Sequence, residues 1–150
     1  MESSNSMEFL FNMAEQTLSN TTSRLGVVRQ EYIHETHQLN QLHDYEKEYQ
    51  QKLQHTLTNT GISVISLQCY QGFIGSLRQI VTQQEHKVLN SRGIVNDVLL
   101  EWKKNQQNLK AYEILKKRSD NQRFLKESRL EQKMMDEFAR RAASKRKNRW

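Results

Sequence analysis

The chain has 150 residues, a length that fits one domain, yet only 35% of them are apolar and 27% are charged. A globular core of this size usually draws on about half apolar residues, so two architectures remain: disorder, or long helices that bury a narrow seam. The net charge of +6 is unevenly placed, with 10 Lys/Arg against 12 Asp/Glu in residues 1–115 and 13 against 5 in residues 116–150. That pattern points to an acidic partner surface, nucleic acid or a solvated end for the last quarter.

Proline is absent and there are five glycines. Helix interiors exclude proline and disordered chains are enriched in it, so helices are the expected state. The first residues, MESSNSMEFLFNMAEQ, carry no basic residue, and the first one in the chain is Arg24. A secretory signal needs a positive start and a longer apolar run, and no run approaches the ~20 residues that span a bilayer. The single Cys69 rules out an intrachain disulfide and a multi-cysteine metal site, and reads as a small apolar residue of a cytosolic chain.

The first predicted element is a helix over about 7–57. Positions 11, 18, 25, 32, 39, 46 and 53 read Phe, Leu, Leu, Tyr, Leu, Glu, Leu. Their companion row, from Ala14 to Thr56, is mixed. A turn follows over 58–62, where Thr58, Asn59, Thr60 and Gly61 are polar or helix-ending and Gly61 is suited to a left-handed close. The second helix is predicted over about 63–140, capped by Ser63 or Ser66. Positions 67, 74, 81, 88, 95, 102 and 109 read Leu, Ile, Val, Val, Val, Trp, Leu, and the row from Tyr70 to Tyr112 is mixed. A sustained 3.5-residue period with a short connection predicts an all-α fold, a long antiparallel two-helix coiled coil or helical hairpin. Gly72 and Gly75 each cost roughly 1 kcal/mol in a helix, so the tip end of the second arm is expected to be loose or bent.

Mirror pairing about residue 60 exhausts the first helix near residue 112. Beyond it lies a C-terminal helical overhang, with Phe124, Leu125, Leu130, Met134, Met135 and Phe138 unmatched, and then a basic tail over 141–150. One rod-like hairpin is expected as the single domain. Such a hairpin has no interior for catalysis, so no catalytic residue, cofactor or metal is assigned. His34 and His37 are three apart, where the metalloprotease pattern needs four. Tyr45 and Tyr49 share one helix face, and Phe73 and Leu77 lie at a similar height on the second arm. They either widen the seam or form an exposed aromatic patch of the kind that anchors interfaces.

The stretches LHDYEKEYQ, YQGFIGSLRQI, EWKKNQQNLKAYEILKKR and RLEQKMMDEFARRAA, in this order and spacing, resemble the FliJ family of flagellar type III export proteins. The resemblance spans about residues 10–143. It implies a non-enzymatic stalk that is similar to the gamma subunit of rotary ATP synthases and inserts into the hexameric flagellar export ATPase, promoting its assembly. It further implies contact with the cytoplasmic domain of the export gate protein FlhA, escort of unladen export chaperones, and a cytoplasmic location at the inner face of the membrane. The positions it matches to the gate are Gln38, Leu42, Tyr45, Tyr49, Phe73 and Leu77. The family's small residue and histidine that follow are Ile80 and Gln84 here. For the ATPase ring the candidates are in the overhang: Met134, Met135 and Phe138 to seat against its inner surface, and Arg140 and Arg141 to meet acidic groups there. Two other readings are kept: the equivalent stalk of a virulence secretion system, and a basic coiled coil binding nucleic acid. Against the latter, strand recognition interleaves aromatics with basic residues, and the tail offers Phe138 and Trp150 alone.

Overall fold

A computed structural model describes residues 2–148 and contains two helices, α1 (Glu2–Asn59) and α2 (Val64–Asn148), packed as an antiparallel hairpin. Both helices outrun their predicted bounds. α1 starts five residues before 7, and α2 continues eight residues past 140, so the basic stretch over 141–148 is helix rather than a separate tail. Nothing in these segments breaks a helix: no proline occurs, and Ala139, Ala142 and Ala143 are strong helix formers. The residues 149–150 of the expected tail lie outside the described ones.

The turn is built as its residues dictate. Gly61 has φ 67°, and among the described residues no other residue has positive φ. The amides of Thr60 and Gly61 both donate to the Thr56 carbonyl, at 3.1 and 2.9 Å, which closes α1. Ser63 is the cap of α2: its hydroxyl oxygen accepts from the Ser66 amide at 3.2 Å, and the Leu67 amide donates to the Ser63 carbonyl at 3.0 Å. Gly72 and Gly75 do not interrupt α2, and a Cβ at either would meet nothing within 4 Å. They lie on the outer surface of a helix whose other side packs Leu67, Tyr70, Ile74 and Leu77 into the seam, and that packing outweighs their propensity cost.

Every predicted seam position, from Phe11 to Thr56 on α1 and from Leu67 to Tyr112 on α2, is buried or half-buried. The mixed companion rows belong to the seam as fully as the apolar ones. The contacts gather in two compact units, one over Ser19–Lys104 and one formed by the described residues up to Leu18 with those from Asn105 onward.

The first of these units holds the buried side chains found among the described residues: Leu25, Leu77, Val81 and Val98 at 4–8% exposure, with Thr21 and Gln84. Buried Gln84 is satisfied across the hairpin, its amide donating to the Glu35 carbonyl at 3.0 Å and to the Glu35 carboxylate. Arg24 pairs with Glu101, and the Trp102 indole N–H donates to the Thr22 hydroxyl at 2.9 Å. The Arg24–Glu101 and Thr22–Trp102 pairs centre near Ile62, about two residues past the expected residue 60, while Glu35–Gln84 centres near residue 60. Aspartate at Val81 or Val98 is therefore expected to lower stability by about 2 kcal/mol or more, because it buries an unpaired carboxylate, whereas aspartate at exposed Lys87 or Asn96 stays near neutral. Thermal melts of the four variants check the difference.

In the second unit the seam residues are half-buried, among them Phe11, Leu18, Leu109 and Tyr112, with Lys116 over the Phe11 ring at 4.6 Å. Pairing continues through Lys116 to Ser119, seven residues past the expected limit, because α1 starts earlier and the fold point lies later. With less apolar area removed from water, amides around Phe11 and Leu109 are expected to exchange hydrogen faster than those around Leu25 and Val81. Residue-resolved hydrogen exchange reads this directly.

Candidate functional site

Among the described residues no group of three or more His, Cys, Asp or Glu side chains could hold a metal. His34 and His37 instead face Gln38 and Gln41, one turn on, at 3.2 and 3.5 Å. Exposed apolar faces, one in each unit, are the candidates to carry function.

In the Ser19–Lys104 unit, Gln38, Leu42, Tyr45 and Tyr49 follow a spacing of 4, 3 and 4 along α1. Phe73, Leu77, Ile80 and Gln84 repeat the same spacing on α2, so each quartet forms one stripe of its helix. The structure divides them by depth. Tyr45 and Phe73 are 56% and 46% exposed, and Gln38 is exposed. Leu42 and Tyr49 are half-buried, and Leu77 is buried at 8%. Tyr49 and Phe73 meet across the hairpin with ring centroids 4.6 Å apart and planes tilted by 45°, a favourable aromatic geometry. Leu77 is thus a seam residue supporting the patch from beneath rather than a displayed one.

The ring pair forms a wall of an open groove of about 310 Å³ that is also lined by Ile65, Ser66, Cys69 and Tyr70. Ile65 is 74% exposed and Cys69 is exposed, so the cysteine is not a packed apolar residue. Neither Ile65 nor Cys69 stands out in a search for seam rows, because they lie outside both rows. Their signal is the four-residue spacing Ile65, Cys69, Phe73, which gives one stripe leading into the aromatic pair.

In the other unit, every residue from Asp120 to Lys147 is exposed. Leu130, Met134, Met135 and Phe138 are exposed to between 60% and 77%, as is Phe124. A helix advances roughly 100° per residue, so Leu130, Met134, Phe138 and Arg141 fall within roughly 80° of one another. Met135 borders that stripe. Arg140 stands roughly 120° or more from Met134 and Phe138 and belongs to a different side of the helix. The five candidate residues are therefore one apolar stripe with Arg141 beside it, and Arg140 apart.

Among the described residues no helix is long and apolar enough to cross a membrane. A family model described as "Flagellar FliJ protein" matches residues 3–148. The chain is 34% identical over 134 residues to the flagellar FliJ protein of Escherichia coli (strain K12), covering 89% of this chain and 90% of that one. It is 33% identical over 137 residues to the flagellar FliJ protein of Salmonella typhi, covering 91% and 92%. No solved structure gives a significant match. Matched by the family model over nearly its whole length and a third identical to these relatives, the chain belongs to the flagellar FliJ family, whose members are components of flagellar export and not enzymes.

Proposed function

We propose that this protein is a non-catalytic linker of the flagellar export apparatus, and so serves flagellum biogenesis and motility. It joins the hexameric export ATPase, through the exposed extension of α2, to the cytoplasmic domain of the gate protein FlhA, through the aromatic face near the turn. The observation that carries this reading is the separation of two exposed apolar faces on one hairpin: Tyr45 and Phe73 in one unit, Met134 and Phe138 in the other. A linker between two machines needs two such faces, and exposed aromatic and methionine anchors are the side chains that supply binding energy and tolerate a shifting partner. Promotion of ATPase ring assembly and escort of unladen chaperones belong to the same reading through the family resemblance. So does a cytoplasmic place at the inner face of the membrane, held through the apparatus rather than by a span of its own.

Family membership favours the flagellar system over a virulence one. The nucleic-acid reading loses weight because Asp120, Glu127, Glu131, Asp136 and Glu137 interrupt the basic residues of the extension. The test is capture of purified export ATPase and gate domain by the full-length chain, with duplex DNA as a control at physiological salt. Capture of both proteins, and weak salt-sensitive DNA binding, is the expected result. Tight sequence-selective DNA binding without protein capture would overturn it.

A further inference from the structure

Two heptad rows of α2 face α1, and both continue into the extension, where α1 no longer covers them. One row is uncharged at all eight positions from Tyr70 to Ser119. Its next four positions are Lys126, Lys133, Arg140 and Lys147, basic without exception and all exposed. The other row reads Arg123, Leu130, Glu137 and Ser144, so the apolar seam itself does not continue. The change coincides with the end of pairing at Ser119. Lys126 and Lys133, with Arg129, Leu130 and Asp136, line a groove of about 470 Å³ along this side.

We propose that this row is a docking edge for an acidic helix of a partner protein, which lies against α2 beyond Ser119 in line with α1. Two observations select that occupant. The row prolongs the surface that α2 already uses to hold a helix, so the slot beside it has the shape of a helix. Its four cations recur every seven residues, about 10.5 Å along the axis, and acidic residues every seventh position on a facing helix recur at the same ~10.5 Å. A continuous polyanion fits less well. Asp136 sits in the groove and Glu137 stands within roughly 60° of Lys133 and Arg140 around the helix, so a continuous run of phosphates or an anionic lipid surface would meet repulsion that a helix with spaced carboxylates avoids. A second copy of the same extension would set basic row against basic row.

This inference rests on the extension being a docking segment, as proposed above. It adds a side distinct from the Met134–Phe138 stripe, with Arg140 assigned to it. The probe is a synthetic helical peptide of four heptads with glutamate at every seventh position, titrated against the full-length chain at low and physiological salt. A matched peptide carries glutamine there. Hydrogen exchange over residues 120–147 reports where the peptide binds. Lys126→Gln with Lys133→Gln and Arg140→Gln is expected to weaken binding about tenfold, as loss of three exposed ion pairs implies. The charge-matched Lys117→Gln, Lys145→Gln, Arg146→Gln variant is expected to change it by about twofold or less. Equal losses in the two variants, equal binding of the glutamine peptide, or displacement of the peptide by duplex DNA or phosphatidylglycerol vesicles at matched charge would each overturn the proposal. Export ATPase binding, measured on Met134→Ala with Phe138→Ala, addresses the linker reading separately. Peptide binding retained by a wild-type chain that fails to bind the ATPase would sink that reading and leave the acidic-helix edge standing.

Discussion

Deleting residues from 130 onward is expected to leave the hairpin folded and to abolish stimulation of export ATPase ring assembly. The folded part should not notice the loss. Every residue from Asp120 to Lys147 is exposed, and neither Met134 nor Phe138 buries much surface within the chain, so the stability change should stay within about 0.5 kcal/mol. Helicity by circular dichroism should fall only in proportion to the residues removed. Function should fall much further, because the deletion takes away Leu130, Met134, Met135 and Phe138, the apolar side chains with no use inside the hairpin. Gate-domain binding should survive, since Tyr45, Tyr49 and Phe73 lie in the other unit. A finer variant separates charge from packing: reversing Arg141, which borders the apolar stripe, should weaken the ATPase more than reversing Arg140. Both effects should shrink at high salt, where exposed charges are screened. A truncated chain that promotes ring assembly at full strength would move the docking site to α1 around Phe11 and Leu18.

The second large effect is expected at the aromatic face. Tyr45→Ala combined with Tyr49→Ala should weaken binding to the gate domain by about 2 kcal/mol, roughly thirtyfold, with ATPase binding largely intact. The two tyrosines should differ when changed singly. Tyr45 is 56% exposed, so its removal should cost binding without moving the melting temperature. Tyr49 also packs against Phe73, so its removal should cost about 1 kcal/mol of stability as well. Leu77→Ala should behave in the opposite sense. It empties a buried seam position at a cost of about 2 kcal/mol or more, and its binding defect should recede on cooling as the hairpin refolds. Isothermal titration with the gate domain, paired with thermal melts, resolves all three.

The hairpin was legible because its signal is periodic and local. Heptad rows from Phe11 and Leu67 place the seam, and Gly61 and Ser63 act at the turn through their own backbone and hydroxyl chemistry. Where pairing stops was less legible. The limit depends on where α1 starts and where the fold point lies, and small errors in each move the far end of α2 by several residues. Gly72 and Gly75 lie within a continuous α2, where the packing of Ile74 and Leu77 on the other side of the same helix offsets their propensity cost. At the candidate site, the spacing of Tyr45 and Tyr49 gave the face but not the depth. Tyr45 and Leu77 both looked like patch residues, and their separation into displayed and buried follows from cross-hairpin register, which no single helix contains. The exposure of Cys69 has the same origin: composition marks a lone cysteine as a small apolar residue, and which side of its helix shows it depends on the register.

Co-sedimentation of the gate domain with assembled export ATPase rings asks whether one chain holds both by separate faces. The gate domain is expected to pellet with the rings only when the full-length chain is present. Both the Tyr45→Ala, Tyr49→Ala variant and the chain truncated at 130 should fail to bring it down, each while still binding the partner at its intact face. Competition between the ATPase and the gate domain for the chain, with no ternary pellet at any ratio, would overturn the proposed linkage.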